Sequence, residues 1–279
     1  MARTRRARAG VAVSELMTKT LLITNDYPPR PGGIQSYLET YLAHLDPSDI
    51  AVLASTFRGS ESREYDASRP YLVERVPTET LLPTPDVAER ARRLASDFGA
   101  STIWFGAAAP LAAMAPVLRE GRVDRIVAST HGHEVGWSML PGARQVLRLI
   151  GESTDAVTYV SEYTRRRVAA AFGPRARLVH QPGGVDTDRF RPDPVRRKAI
   201  RDRYGVADRD VIVCLSRLVP RKGQDMLIRA MPEIASRVPG AVLVVVGGGP
   251  HRRALETLAG RLGVTDKVVF TGRVPADEI

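Results

Sequence analysis

The sequence holds two groups of polar and charged side chains whose types and spacing suit the binding of an anionic ligand. His131, His133 and Glu134 stand together in the string STHGHEVGW, directly after an apolar run. Arg217 and Lys222 follow another apolar run, in the string LSRLVPRKGQD. Arginine binds a diphosphate through parallel hydrogen bonds, and lysine adds a compact positive charge. The basic group therefore predicts a diphosphate site, with a solvated basic turn as the alternative.

Two glycine turns follow other apolar runs. Gly32 and Gly33 precede a predicted helix over 34–45, and Gly247, Gly248 and Gly249 precede one over 252–262. Glycine lets a ligand approach the backbone, and helix N-terminal amides attract phosphates. Neither G-x-G-x-x-G nor a P-loop occurs. A tight turn without a ligand is the alternative at each site, but two such turns, one per predicted domain, favour a shared anionic ligand.

The acidic and histidine side chains do not predict a metal site. His131 and His133 have a spacing that supplies two zinc ligands, but a third ligand and the order H-E-x-x-H are missing. Asp186 and Asp188 lie in a segment rich in glycine and proline, where aspartate commonly serves turns. We therefore expect no metal. His131 is predicted to contact a sugar or phosphate, and Glu134 is predicted to accept hydrogen bonds from hydroxyl groups or to balance a cation.

The apolar runs alternate with helical segments, which is typical of parallel sheets covered by helices on both faces. Strands are predicted at 20–24, 50–54, 102–105, 125–129, 156–160, 177–180, 211–215, 241–246 and 268–271, and a further helix at 223–238. The pattern predicts an α/β protein with two doubly wound, Rossmann-like domains and a ligand cleft between them. The second domain, with three strands, is expected to be incomplete.

The domain boundaries follow from composition. We expect a disordered basic leader over 1–16, an N-terminal domain over 17–186, a linker over 187–208 and a partial C-terminal domain over 209–279. The leader contains four arginines and lacks the apolar core of a secretory signal.

Composition excludes several classes of protein. Cys214 is the single cysteine, so no intramolecular disulfide forms, and a reducing, cytoplasmic location is expected. No apolar run reaches the roughly 18 residues of a membrane span. The net charge of +10 suits a nucleic-acid binder, but the charges are dispersed and no reading motif occurs, so no nucleic-acid partner is expected.

Two basic segments are candidates for contact with a membrane. The segment 86–98 is predicted to form an amphipathic helix with Arg90, Arg92 and Arg93 near one end. The string SEYTRRRVAAAF, over 161–172, is a second candidate. Basic amphipathic helices bind anionic lipid surfaces, although a solvated outer helix is the alternative for the first segment.

The motifs together resemble a known family. NDYPPRPGGIQSYL, STHGHEVGW, VSEYTRR, PGGVDTDRFRP, LSRLVPRKGQD, VVVGGGP and VVFTGRV resemble, in order and spacing, the retaining glycosyltransferases of family 4, which have the two-domain B-type fold. The resemblance covers about residue 19 to residue 279. It implies that His131 lies beside the transferred sugar as the catalytic histidine, and that Gly32, Gly33, Arg217, Lys222, Gly247, Gly248, Gly249, Gly272 and Arg273 bind the donor.

The strings WFGAAAPLA and STHGHEVGWSMLP resemble members that transfer mannose from GDP-mannose to a phosphatidylinositol monomannoside in an α-1,6 linkage. The resemblance thus implies GDP-mannose as donor, an anionic phosphoinositide glycolipid as acceptor, no metal cofactor, and a peripheral location on the inner face of the membrane. Family members carry two glutamates and a closing helix beyond the point where this sequence ends. A different donor or acceptor, or an inactive truncated remnant, therefore stays open as an alternative.

Overall fold

A computed structural model describes residues 19–275 and 278–279, so the leader predicted over 1–16 lies outside the described residues. The chain divides into two compact units with their boundary between Asp186 and Thr187. We call them unit 1 and unit 2.

Unit 1 is built on a parallel sheet of seven strands, in the order β3-β2-β1-β4-β5-β6-β7. The strands are β1 (Thr20–Thr24), β2 (Ile50–Ser55), β3 (Leu72–Val76), β4 (Thr102–Phe105), β5 (Arg125–Thr130), β6 (Ala156–Tyr159) and β7 (Leu178–His180). Residues of β1 alternate between two hydrophobic clusters: Leu21 and Ile23 pack in one and Leu22 in the other. The sheet is therefore buried on both faces, as the continuous apolar runs predict.

The helices of unit 1 alternate with these strands along the chain. They are α1 (Gly33–Leu42), α2 (Gly59–Ala67), α3 (Pro85–Phe98), α4 (Ala115–Leu118), α5 (Glu134–Ser138), α6 (Pro141–Ser153) and α7 (Glu162–Phe172). Each strand of a parallel sheet starts at the same edge, so the loops that leave β1, β4 and β5 lie at one common edge.

Unit 2 contains a parallel sheet of three strands among its described residues, in the order β10-β9-β8. Its elements are α8 (Pro194–Arg203), β8 (Asp210–Leu215), α9 (Gln224–Arg237), β9 (Ala241–Val246), α10 (Arg252–Arg261) and β10 (Val268–Gly272). The first strand, β8, lies at the edge, and Val213 and Leu215 on it are 62% and 52% exposed. In unit 1 the first strand instead lies between two neighbours.

The α/β class with parallel sheets is confirmed, and the structure differs from the sequence prediction in two elements. β3 was not predicted, because Glu74 and Arg75 interrupt its short apolar run. The predicted linker contains α8. Its start has a clear signal, since the Asp193 side chain accepts the backbone N–H groups of Val195 and Arg196 and Pro194 occupies the first turn.

Candidate active site

The His131 loop lies where three adjacent strands of unit 1 end. His131 follows β5, and its Nε2 is 2.8 Å from the carbonyl oxygen of Gly106, which follows β4. The ring of Tyr37, on the helix after β1, meets the His131 ring edge-on with the centroids 4.7 Å apart. The sheet order β1-β4-β5 therefore brings residues far apart in sequence around one imidazole.

The surroundings of His131 determine its protonation. A carbonyl oxygen only accepts hydrogen bonds, so Nε2 carries a proton and donates to Gly106. Burial lowers the pKa of His131 below its ordinary value. The ring is therefore neutral at pH 7, with Nδ1 unprotonated. Such a nitrogen accepts a hydrogen bond from a hydroxyl group.

Glu134 is not placed to accept hydrogen bonds from the hydroxyl groups of a ligand, so that part of its prediction is wrong. Its side chain is fully buried, and Oε2 accepts the backbone N–H groups of His131, at 3.2 Å, and Gly132, at 3.1 Å. Burial raises the pKa of this carboxyl group. Gly132 has a φ of 95°, in the left-handed region that favours glycine. Glu134 therefore orders the His131 loop from inside the protein.

The glycine loop after β1 leaves open space at one position. A Cβ on Gly32 would lie 2.2 Å from Oε1 of Gln35, whose Nε2 donates to Asp26. At Gly33 an added Cβ would have no atom within 4 Å. The backbone of Gly33 is exposed, and a ligand is free to approach it. The predicted donor-binding role of Gly32 and Gly33 stays a prediction.

Arg75 holds this loop in place and was missed by the sequence analysis. Its guanidinium donates to the carbonyl oxygens of Pro28, at 2.5 Å, and Ser55, at 2.7 Å, and pairs with Asp66 at 2.8 Å. It also lies over the ring of Tyr27, 4.9 Å from the centroid. No pattern in the sequence indicates this role, because Pro28 and Ser55 lie in other segments of the chain.

In unit 2, three loops that follow adjacent strands are joined by backbone hydrogen bonds. The Leu218 N–H donates to Gly248, and the Gly247 N–H donates to Gly272, each at 2.9 Å. Gly247 has a φ of 133°, and an added Cβ would lie 2.1 Å from the Ser216 carbonyl oxygen. The basic loop, the Gly247–Gly249 turn and the Gly272–Arg273 segment therefore come together, as a shared ligand site requires.

The basic side chains of this site are available to a ligand. Arg217, Lys222 and Arg273 are exposed, and none forms an ion pair among the residues that the structure describes. Gln224 is fully buried and donates to the Ser216 hydroxyl, at 2.8 Å, and to the Arg217 carbonyl oxygen, at 3.0 Å. The sequence analysis also missed Gln224, whose side chain fixes the backbone of the basic loop.

The structure gives no support to the predicted membrane contact through the helix over 86–98. The apolar face of α3 packs inside the core of unit 1, with Ala91 fully buried and Leu94 almost so. Its arginines are paired: Arg90 with Glu74, Arg92 with Glu89 and Glu120, and Arg93 with Glu89. The helix therefore offers neither a free apolar face nor a strong positive charge to a lipid surface.

The described residues contain neither a metal-binding cluster nor a membrane-spanning helix. Within 19–275 and 278–279, no cluster of three or more histidine, cysteine, aspartate or glutamate side chains has the arrangement of a metal site. None of the helices described has both the length and the apolar character needed to cross a membrane. Independence of metal stays a prediction.

Comparison with known families gives two matches that divide the chain in sequence. Residues 31–189 match Glycosyltransferase Family 4, and residues 196–279 match Glycosyl transferases group 1.

Two curated relatives carry the same name, GDP-mannose-dependent alpha-(1-6)-phosphatidylinositol monomannoside mannosyltransferase. The protein from Mycolicibacterium smegmatis is 57% identical over 261 residues, which cover 93% of this chain and 68% of the relative. The protein from Mycobacterium tuberculosis is 54% identical over 268 residues, which cover 94% of this chain and 69% of the relative.

The solved structures show a shared fold at low identity. Anabaena HepE in complex with UDP superposes with a TM-score of 0.72 at 19% identity, covering 93% of this chain and 70% of that chain. The sucrose-phosphate synthase from Thermosynechococcus elongatus gives a TM-score of 0.72 at 17% identity, covering 93% of this chain and 71% of that chain.

Proposed function

The chain belongs to glycosyltransferase family 4, and from that membership we propose that it transfers mannose from GDP-mannose to a phosphatidylinositol monomannoside, in an α-1,6 linkage. The observation that carries the proposal is the 57% identity, over 93% of this chain, to a relative named for that reaction. Both units of this chain contribute to the match, so the likeness includes the His131 loop and the basic loop of unit 2.

In the proposed reaction unit 2 binds the diphosphate of the donor. Arg217 and Lys222 are exposed, and neither forms an ion pair within the described residues. The Gly247–Gly249 turn is hydrogen-bonded both to their loop and to Gly272, so Arg273 lies at the same edge of the sheet of unit 2. Charge develops on the diphosphate as the bond from the mannose anomeric carbon to oxygen breaks. Fixed cations at that position stabilise the charge more in the transition state than in the ground state.

Unit 1 supplies the groups proposed to contact the sugar. The neutral His131 ring presents Nδ1 to a mannose hydroxyl, and the open space at Gly33 admits the donor close to the backbone. The acceptor hydroxyl attacks on the face from which the diphosphate leaves, and its proton passes to a diphosphate oxygen. No metal is required in this scheme, because arginine and lysine side chains supply the positive charge.

The acceptor named for the relatives is a lipid, so we propose that the protein works at a membrane surface. The single cysteine fits the reducing conditions of the cytoplasmic face. The acceptor is then reached from the headgroup side.

The test is transfer of radiolabelled mannose from GDP-mannose to phosphatidylinositol monomannoside, with UDP-glucose as the competing donor. We expect labelled dimannoside when GDP-mannose is the donor and no transfer to the same acceptor when UDP-glucose is the donor. The variants Arg217→Ala and Lys222→Ala are expected to lower transfer by about 100-fold or more, as loss of transition-state charge stabilisation does. Arg237→Ala, on an exposed arginine paired with Glu233, is the matched control. Transfer from UDP-glucose in place of GDP-mannose would contradict the proposal.

A further inference from the structure

Two consecutive apolar side chains are exposed close to the His131 loop. Met139 and Leu140 form the turn between α5 and α6 and are 75% and 62% exposed. Tyr163, in the first turn of α7, is 64% exposed. Large apolar side chains exposed side by side are unfavourable in water and indicate a surface that is covered when the protein works.

The turn and α7 flank the same loop. A Cβ on Gly132, beside His131, would lie 3.6 Å from the hydroxyl oxygen of Thr164, which follows Tyr163 in α7. The short helix α5 runs from that loop to Met139 and packs against both α6 and α7. One short helix, α5, therefore joins Met139 and Leu140 to the His131 loop.

The same part of unit 1 carries three arginines without a salt bridge to any described residue. Arg144, Arg166 and Arg167 are exposed, and none of them forms an ion pair within the residues that the structure describes. The Arg167 guanidinium lies over the Tyr163 ring, 5.2 Å from the centroid. The arginines of α3, in contrast, are all paired with carboxylates. We call the set Met139, Leu140, Arg144, Tyr163, Arg166 and Arg167 the α6–α7 face.

We propose that the α6–α7 face is the surface by which the protein docks on an anionic lipid bilayer. Met139 and Leu140 enter the boundary between headgroups and acyl chains, and the three arginines bind lipid phosphates. The choice of a bilayer as the occupant rests on the proposed function, because it is the acceptor lipid that places the protein at a membrane. Docking through this face holds the His131 loop close to the headgroup layer.

The experiment measures binding of the full chain to vesicles by co-sedimentation, without any donor. One vesicle contains phosphatidylcholine alone, and the other contains phosphatidylcholine mixed with phosphatidylinositol. We expect binding to the anionic vesicles only. Each neutralised arginine should weaken the partition coefficient about fivefold, so that Arg144→Gln/Arg166→Gln/Arg167→Gln weakens it by about 100-fold. Met139→Ser/Leu140→Ser should weaken it by about tenfold or more.

Two matched controls are available in unit 1. Arg90→Gln/Arg92→Gln/Arg93→Gln removes the same number of charges from α3, and Leu72→Ser/Leu82→Ser changes apolar side chains that are 49% and 55% exposed. Both should bind the anionic vesicles as the unchanged protein does. Loss of binding in the α3 variant with retention in the α6–α7 variant would overturn the proposal. So would equal binding to the two kinds of vesicle, or no binding to either.

The vesicle measurement is independent of catalysis. If the protein binds through the α6–α7 face but does not transfer mannose, the docking proposal stands and the proposed function fails. If it transfers mannose to a detergent-solubilised acceptor and binds no anionic vesicle, the proposed function stands and the docking proposal fails. Circular dichroism of each variant checks that the loss of binding is not a loss of folding.

Discussion

His131 owes its protonation state to atoms from three parts of the chain. The Gly106 carbonyl fixes the proton on Nε2, burial disfavours the charged ring, and Tyr37 packs against its edge. The type and position of His131 are visible in the sequence, but its tautomer is not, because the acceptor belongs to a different strand and loop.

The lowered pKa of His131 gives a prediction for acid pH. The folded protein should resist protonating this ring, so His131 should stay neutral at about pH 6.5, where a free histidine is half protonated. Because the unfolded chain then binds more protons, His131 makes the free energy of unfolding fall as the pH drops below about 6.5. A titration followed by nitrogen-15 NMR of the histidine rings measures this. A midpoint for His131 at or above the free value would contradict it.

Glu134→Gln and Glu134→Leu separate a hydrogen-bonding role from a charge role. The glutamine carbonyl can still accept the N–H groups of His131 and Gly132, so this variant should retain most activity. Leucine leaves both amides without this acceptor, which should cost about 1–3 kcal/mol of stability and lower kcat by tenfold or more.

Kinetics and urea unfolding of both variants measure these effects. The matched control is Glu162→Leu, because Glu162 is also the first residue of its helix but binds Tyr159 and Arg165 at the surface. Equal loss of activity in the Gln and Leu variants would show that the negative charge of Glu134 matters.

Gly33→Ala should affect stability and donor affinity in opposite directions. The added methyl group meets no atom of the free protein, and alanine in a helix is about 0.4–1 kcal/mol more stabilising than glycine. If the donor approaches this backbone, the same methyl group occupies its place, and GDP-mannose affinity should fall about tenfold.

Thermal unfolding and calorimetric titration with GDP-mannose measure the two effects of this change. Gly142→Ala is the control, because Gly142 lies in the first turn of α6 and an added Cβ there also meets no atom within 4 Å. Unchanged donor affinity in Gly33→Ala would remove Gly33 from the donor site.

Among the elements, β3 shows what apolar patterning fails to predict. Its Arg75 is 11% exposed and pairs with Asp66, 16% exposed, while bonding to backbone oxygens of two other segments. A buried cation satisfied only by tertiary partners leaves no periodic signal in the sequence. Strands β1, β4 and β9 match the predicted bounds, because their apolar runs are uninterrupted.

Arg75→Met should destabilise unit 1 by about 3–5 kcal/mol, because it leaves the Asp66 carboxylate buried without a partner. Asp66→Asn in the same chain removes that charge, so the double variant should be less destabilised than Arg75→Met alone. Urea unfolding of the three variants measures the coupling. Additive losses would show that the two side chains do not interact energetically.

For the whole chain, the sequence predicts the class of fold well and the finer organisation less well. Runs of apolar residues identify parallel sheets, and the glycine and arginine motifs lie at the ends of the strands predicted to carry them. The sequence does not show that the apolar face of α3 packs in the core of unit 1. An amphipathic pattern is compatible both with packing against a core and with binding to a membrane surface.

The edge position of β8 has a consequence for solvent access to its backbone. The Asp210 N–H donates to the carbonyl oxygen of Gly240, just before β9, and the Ser216 N–H donates to that of Val246, the last residue of β9. Because backbone amides alternate in direction along a strand, the N–H groups of the even-numbered residues of β8 face β9. The amides of Val211, Val213 and Leu215 then point away from the sheet. In deuterium oxide these three should exchange within the dead time of the measurement, while Ile212 and Cys214 exchange slowly. Uniform protection along the strand would mean that another polypeptide pairs with this edge in solution.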